Sequence, residues 1–319
     1  MFLKRAVQQI HLQVFLIVAA ALLAILRFFV FSDMSVTCPS HFPEPALPCL
    51  PMAGLSFLLL GVSVFFLHVF LRQHRLVENR KYYPLVLLPL FLSLFLHAGD
   101  WFALSFMVVF CGFFLPAVFA VYSKESYRQN AGVAVGMLCG CMGMFYAPLL
   151  LLLPFYYGLL FSQRLANFRS LLLPLAGLAL WSLYVGVFCF LTDFHAVSIV
   201  RHLKSQWCCL SFRLPGVSRL VLLAWGLMLV LYVISTYRMI RTLYSKNILI
   251  RKKCVLLFFL SLFFLLLFLL SPYGNHIPLC GFAAILVAVL CEEESGLRNR
   301  FVYNVLFALC WILNLLMLC

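Results

Sequence analysis

The sequence predicts an all-α polytopic membrane protein of about eleven transmembrane helices, with ten to twelve as the range. We expect a single integral membrane domain over residues 1–319 and no soluble domain. Hydrophobic residues make up 66% of the chain and charged residues 10%, against roughly 45–50% and 25% in soluble proteins. The mean hydropathy is +1.10, and apolar runs near the length of a bilayer crossing recur along the chain. A water-soluble domain of this size could not bury so much apolar surface.

Polar residues divide the chain into eleven candidate spans. These are residues 10–31, 52–71, 82–97, 101–122, 131–146, 148–161, 171–191, 217–237, 254–271, 277–291 and 301–318. The first span follows Lys4 and Arg5 and continues past 20 residues without a small-residue cleavage site at its end. This pattern indicates a retained signal anchor.

Three stretches, 82–122, 131–161 and 254–291, could each be misread as one long segment. A single helix over 131–161 would be roughly 46 Å long, well beyond a hydrocarbon core of about 30 Å. We therefore expect the chain to fold back within residues 97–100, 146–148 and 271–276. These short breaks contain Pro or Gly, as helix ends often do.

The basic residues predict the orientation of these spans. Eighteen of the 23 Lys and Arg residues fall in alternate connections on one side, and four fall on the other: Arg201, Lys204, Arg213 and Arg219. Because basic residues collect on the cytoplasmic side, we expect a cytoplasmic N-terminus and an extracytoplasmic C-terminus. The net charge of +14 then indicates contact with anionic lipid, above all through loop 238–253, and we expect no nucleic-acid partner.

The predicted extracytoplasmic face holds the candidate site. Three aspartates lie there at span ends and are the candidate catalytic residues: Asp33, Asp100 and Asp193. Five further residues are candidates for substrate binding: His97, Trp101, His195, Arg201 and His276. Carboxylates and imidazoles at the membrane surface could handle a divalent cation, a phosphate or a sugar hydroxyl, although no metal-ligand set with zinc spacing occurs. The alternative is that each aspartate is an ordinary helix cap.

The fifth span carries a stripe of small residues. Four glycines lie on or near one face of it: Gly132, Gly136, Gly140 and Gly143. This small-xxx-small spacing lets helices approach closely, so we interpret the stripe as architecture.

The central third of the chain resembles a known family. Residues 79–85 (Asn-Arg-Lys-Tyr-Tyr-Pro-Leu), 122–132, 145–148 and the Pro174, Gly177 and Asp193 positions carry the resemblance. They resemble an uncharacterised, domain-of-unknown-function family of Gram-negative bacterial polytopic inner-membrane proteins over about residues 75–195. The resemblance implies a bacterial inner-membrane location and implies no activity, because the family has none assigned.

The overall plan is also similar, more weakly, to integral-membrane glycosyltransferases that use polyprenyl-phosphate sugars. In those enzymes an outer-loop acid near the first helix serves the acceptor or the metal, and Asp33 occupies that kind of position. The family usually has longer outer loops and often paired acids, whereas Asp33 stands alone before a short Pro-rich loop.

These observations favour an enzyme of the extracytoplasmic face that handles a lipid-linked sugar or phosphate in envelope biogenesis. Its partners would be the lipid bilayer and a polyprenyl-linked substrate, while any cofactor and the oligomeric state stay open. One alternative is a non-catalytic subunit of an envelope assembly, which the close-packing glycines suggest. The other is a transporter or lipid flippase, for which interrupted helices would be typical.

Overall fold

A computed structural model describes residues 49–76, 83–96, 100–123, 125–192, 196–208, 210, 219–245, 247–271, 276–292, 308, 309 and 312. These residues are almost entirely helical and include no β-strand. The described helices are α1 (Cys49–Gln73), α2 (Tyr83–Ser93), α3 (Trp101–Val109), α4 (Leu115–Phe119), α5 (Glu125–Phe145), α6 (Leu152–Ser162), α7 (Phe168–Leu191), α8 (Ala196–Cys208), α9 (Arg219–Thr242), α10 (Ile248–Leu270) and α11 (Ile277–Glu292). Turns of 3₁₀ helix cover Ala120–Tyr122, Ala147–Leu151 and Leu243–Ser245, and a π-helical turn covers Phe110–Phe114.

The helices are those of a membrane-embedded protein. Five segments are long and apolar enough to cross a membrane: Gly54–Gln73, Trp101–Tyr122, Phe168–Leu191, Leu222–Arg241 and Ile248–Leu270. Two apolar helical segments are shorter: Ala147–Ser162 and Ile277–Leu290. Each predicted span between residues 52 and 291 overlaps one or more described helices, but only the five segments above have the length and hydropathy of a crossing. Span 10–31 and nearly all of span 301–318 lie outside the described residues, so the count of eleven stays a prediction.

Helix α11 forms the centre of the bundle. Its residues 277–289 are all buried, and it packs against α2, α3, α9 and α10. The hairpin with α10 is tight at Gly281, where an added Cβ would overlap the Phe264 ring. Helices α10 and α11 thus pack against each other on either side of the predicted break, of which residues 272–275 lie outside the described residues.

Helices α5 and α7 pack side by side through the predicted glycine stripe. Gly132 lies against Leu173, and Gly140 lies against Trp181, whose Cδ1 would be 2.6 Å from an added Cβ. Because the contacts advance in the same direction along both helices, α5 and α7 are parallel. The glycine stripe is thus a helix-packing surface, as the sequence indicates.

The parallel arrangement requires the chain between α5 and α7 to cross back. Helix α5 ends at Phe145, and Tyr146 is extended, with φ −153° and ψ 109°. A 3₁₀ turn beginning at Ala147 then leads into α6. The predicted fold-back within 146–148 is confirmed.

The segment from Trp101 to Tyr122 contains a widened turn. The Leu115 N–H donates to the Phe110 carbonyl, five residues earlier, and Pro116 follows directly. A proline ring clashes with the carbonyl four residues before it and supplies no N–H, so a wider turn accommodates it. Phe110 and Phe114 stack with ring centroids 5.7 Å apart, so this interruption is lined by packed apolar rings.

The two ends of the bundle differ in chemistry. At one end the His74 ring lies 4.9 Å from Phe119, and the Tyr122 hydroxyl donates to the Lys252 carbonyl at 3.1 Å. We call this the basic end, and its described cations are Arg72, Arg75, Arg128, Arg164, Arg169, Arg238, Arg241, Arg251, Lys252 and Lys253. The opposite end, where α3 and α11 begin, contains Asp100 and His276, and we call it the Asp100 end.

Candidate functional site

The Asp100 end contains half of the residues that the sequence predicts for a site. The structure describes Asp100, Trp101, Arg201 and His276. The other predicted residues, Asp33, His97, Asp193 and His195, lie outside the described residues.

Asp100 and His276 stand at the starts of neighbouring helices. Asp100 directly precedes α3, and His276 directly precedes α11, which packs against α3. The Asp100 carboxylate is close enough to the Cys280 thiol, one turn into α11, to interact with it electrostatically. The structure therefore brings these two predicted residues to adjacent helix starts. Among the side chains that the structure describes, Asp100 is the only carboxylate.

Trp101 takes part in packing between helices. Its ring stacks on Phe102 with centroids 3.8 Å apart, and Phe102 meets the edge of Phe145 at 6.4 Å. Trp101 is half-buried. This contact links the start of α3 to the end of α5.

Arg201 lies on α8, a short amphipathic helix at the same end of the bundle. The Ala147 N–H donates to Gln206 Oε1 at 2.7 Å, and Gln206 Nε2 lies 2.9 Å from His202 Nε2. These contacts hold α8 across the break between α5 and α6. Arg201 itself is exposed.

A polar cavity lies at the opposite, basic end. It encloses about 170 Å³ between α5, α6 and α7. Its polar lining consists of Arg128, Gln129, Tyr156, Asn167, Arg169 and Ser170. Gly132, Leu160 and Leu173 complete the wall. The volume accommodates several water molecules or one phosphate group, since a water takes up about 30 Å³ of liquid.

The cavity follows from the parallel packing of α5 and α7. Arg128 stands in the first turn of α5, and Arg169 in the first turn of α7. Both helices begin at the same end because their glycine contacts keep them in parallel register. At the start of α7, the Asn167 N–H donates to Ser170 Oγ at 2.8 Å, which fixes the entry of the chain into the helix.

The electrostatics of the cavity favour an anion. Arg128 and Arg169 bring two guanidinium groups, and the positive ends of the α5 and α7 helix dipoles add to their potential. The Tyr156 side chain is 1% exposed, and its hydroxyl makes no hydrogen bond with the described residues. Arg128 acts on the Tyr156 phenol electrostatically. The Tyr156 hydroxyl supplies one hydrogen-bond donor for a ligand oxygen in the cavity.

The lining suits the binding of an oxyanion. The described wall contains no carboxylate, imidazole or thiol, which are the usual general acids, bases and nucleophiles. Guanidinium, amide and hydroxyl groups instead suit the oxygens of a phosphate, and guanidinium can bind two of them at once.

The residues of this cavity are not among those that the sequence predicts for a site. Arg128 falls within the stretch 122–132 that carries the family resemblance, but Arg128 and Arg169 look like ordinary cations of the cytoplasmic loops. One signal was available: each begins a helix, and the two helices are separated by one crossing segment. Tyr156 could not be identified from the sequence, because a tyrosine within an apolar span is usually interpreted as a packing residue.

No protein-family profile, curated protein or solved structure matches this chain.

Proposed function

We propose that this protein binds the phosphate group of a lipid, or of a lipid-linked substrate, in the cavity between α5, α6 and α7. The observation that carries the proposal is the convergence of Arg128, Arg169 and the Tyr156 side chain on one cavity. Two neighbouring cations attract a doubly charged phosphate more strongly than they attract water.

The surroundings of the cavity favour a ligand with an apolar chain. Phe161 follows the wall residue Leu160 and is 61% exposed; Phe168 lies between Asn167 and Arg169 and is 79% exposed. Large apolar side chains beside a charged site are typical of the boundary between headgroups and acyl chains. A free inorganic anion would gain nothing from them, whereas a lipid would bury its chain there.

The proposal includes the full topology. We infer eleven spans in a bacterial inner membrane, with the N-terminus and the basic end cytoplasmic and the C-terminus extracytoplasmic. Its support is the collection of the described cations around the ends of α1, α5, α6, α7 and α10. The phosphate-binding cavity would then face the inner leaflet.

A ligand-induced shift in thermal unfolding tests the binding. Purified protein in neutral detergent is titrated with dihexanoyl phosphatidic acid, and separately with inorganic phosphate at the same charge. We expect the lipid phosphate to stabilise the protein and inorganic phosphate to do so much less. Arg128→Gln and Arg169→Gln should each weaken the affinity about tenfold or more, since a charge-assisted hydrogen bond contributes about 1.5–3 kcal/mol.

The matched control is Arg241→Gln, which removes an exposed cation at the same end of the bundle but outside the cavity. It should leave the affinity unchanged. Equal losses in Arg241→Gln and Arg128→Gln would mean that the lipid phosphate responds only to total charge. If inorganic phosphate bound as tightly as the lipid phosphate, the cavity would be an anion site that does not recognise a lipid chain.

A second candidate function is an enzyme of the extracytoplasmic face that handles a lipid-linked sugar or phosphate. The adjacency of Asp100 to the start of α11, beside His276, favours it. Asp100→Asn should then abolish complementation of a deletion strain without lowering the amount of protein in the membrane. Full complementation by this variant would remove Asp100 from any catalytic role.

A further inference from the structure

Two helices at the basic end close in the same unusual way. Helix α1 ends with Leu76 N–H donating to the Leu71 carbonyl at 2.9 Å and Arg75 N–H donating to the Arg72 carbonyl at 3.1 Å. This pair of bonds is a Schellman motif, the commonest arrangement that turns a chain out of a helix.

Helix α6 ends identically. Leu165 N–H donates to the Leu160 carbonyl at 2.9 Å, and Arg164 N–H donates to the Phe161 carbonyl at 3.0 Å. The local sequences share a pattern: residues 71–76 read Leu-Arg-Gln-His-Arg-Leu and residues 160–165 read Leu-Phe-Ser-Gln-Arg-Leu. In both motifs the leucine after the arginine folds back onto the leucine that accepts its bond, which is the usual apolar contact of this motif.

The arginines occupy the position that glycine normally takes. Arg75 has φ 55° and Arg164 has φ 56°, and they are the only described non-glycine residues with positive φ. The left-handed conformation is sterically unfavourable for a side chain with a Cβ. A non-glycine residue held there twice, at the same end of one molecule, indicates that its side chain is needed.

Both side chains reach solvent, and Arg75 lies near other cations. Arg75 and Arg164 are exposed. Arg75 is near enough to Lys253 for the two cations to repel each other, and Lys253 acts in the same way on His74. Among the described side chains, no carboxylate lies at this end. A polyanion that faces the close cations Arg75 and Lys253 would relieve their repulsion.

We propose that Arg75 and Arg164 bind the anionic headgroups of the membrane leaflet that the basic end faces, and that this contact is why each turn carries arginine in place of glycine. Helix C-termini favour cations in any solvent, but that interaction would not require the strained position itself, because Arg72 already supplies a cation in the last turn of α1. Arg75, Arg164, Lys252 and Lys253 are not among the residues that line the phosphate-binding cavity.

The test uses the full-length protein carrying Arg75→Gly, Arg164→Gly or both. In neutral detergent each glycine variant should unfold at a higher temperature than the parent, because the strained turn relaxes. After reconstitution in vesicles of phosphatidylcholine and phosphatidylglycerol, the retained lipid is quantified by mass spectrometry. The preference of each variant for phosphatidylglycerol over phosphatidylcholine should fall about fivefold. This is the expected effect of one cation near an anionic surface.

Arg75→Lys is the matched control, because it keeps both the charge and the unfavourable conformation and should keep the lipid preference. Arg75→Asn removes the charge with a residue that tolerates positive φ, and it replaces Arg75→Gly if that variant fails to fold. A higher unfolding temperature with an unchanged lipid preference would show that these arginines are helix caps only. A lower unfolding temperature of the glycine variants in neutral detergent would equally overturn the proposal, since the turns would then not be strained. Because Arg128 and Arg169 are intact in every variant, binding of dihexanoyl phosphatidic acid should not change.

Discussion

Gly136 of α5 lies directly against the main chain of Pro174 in α7, so closely that an added Cβ would overlap the Pro174 carbonyl oxygen. Gly177 makes the reciprocal approach, with its own Cβ position against the Val133 carbonyl. This double contact keeps α5 and α7 parallel and in register. The two arginines of the phosphate-binding cavity depend on that register, because each stands in the first turn of one of these helices.

Gly136→Ala should therefore both destabilise the protein and damage the cavity. The added methyl group meets main-chain atoms that cannot rotate away, so we expect a loss of about 3 kcal/mol, at the upper end of the usual range for overpacking. Thermal unfolding in detergent measures it. Gly186→Ala is the control, because its surroundings on α7 are open, and alanine there should stabilise the helix by about 0.5–1 kcal/mol. Equal effects of the two substitutions would contradict the close packing of α5 and α7.

Gln206→Ala should release α8 from the break between α5 and α6. It leaves the buried Ala147 N–H without the 2.7 Å bond to Gln206 Oε1, and an unsatisfied buried donor costs about 1–3 kcal/mol. Hydrogen exchange at the amides of residues 147–151 should accelerate. Ser205→Ala removes only a bond to the His202 carbonyl within α8, so exchange at 147–151 should be unaffected by it. Unchanged protection in Gln206→Ala would mean that other contacts fix α8.

His74 should make the stability of the protein depend on pH below neutrality. Burial between Phe70 and Phe119, with a smaller effect of the Lys253 charge, lowers the pKa of His74 to about 4. The unfolded chain takes up a proton near the ordinary pKa of 6.5, whereas the folded protein does so only near 4. Stability from this residue is therefore present above pH 6.5 and is lost as the pH falls from 6.5 to 4.

Unfolding temperatures measured across that window in neutral detergent check the prediction. His74→Gln keeps a polar side chain of similar size without the titration, so it should flatten the part of the pH dependence that belongs to residue 74. A parent and variant with parallel curves would show that His74 is not held neutral.

The two ends of the bundle should lie on opposite sides of the membrane. Cys208 on α8 is exposed at the Asp100 end, and Tyr244 is 84% exposed in the turn that leads to α10 at the basic end. In intact spheroplasts a membrane-impermeant maleimide should label Cys208 and should leave Tyr244→Cys unlabelled until the membrane is permeabilised. Labelling of both from outside would contradict the proposed topology.

The sequence predicted the helices well because hydropathy, and the polar, Pro and Gly residues that end the spans, are local signals. The breaks after Phe145 and Leu270 and the packing role of Gly136 follow from residues close together in the chain. The cavity was not predicted, because it exists only once α5 and α7 are parallel. The hydropathy of each span does not determine how distant helices align with each other. Arg75 and Arg164 could not be recognised either, since a Schellman motif is normally recognised in a sequence by its glycine.

The residues predicted for the extracytoplasmic site differ in the same way in how far the sequence could place them. Asp100 and His276 could be placed at the same membrane face because both follow from counting spans, and the structure puts them at adjacent helix starts. Their convergence with Asp33 and Asp193 stays a prediction, because those residues lie outside the described part of the chain.

The most direct test of the proposed function is an experimental structure of the protein in lipid with dihexanoyl phosphatidic acid added. We predict phosphate density in the cavity, with oxygens about 2.7–2.9 Å from guanidinium nitrogens of Arg128 and Arg169 and within hydrogen-bond distance of the Tyr156 hydroxyl. A cavity that contains only water, with the added lipid bound elsewhere, would contradict the account.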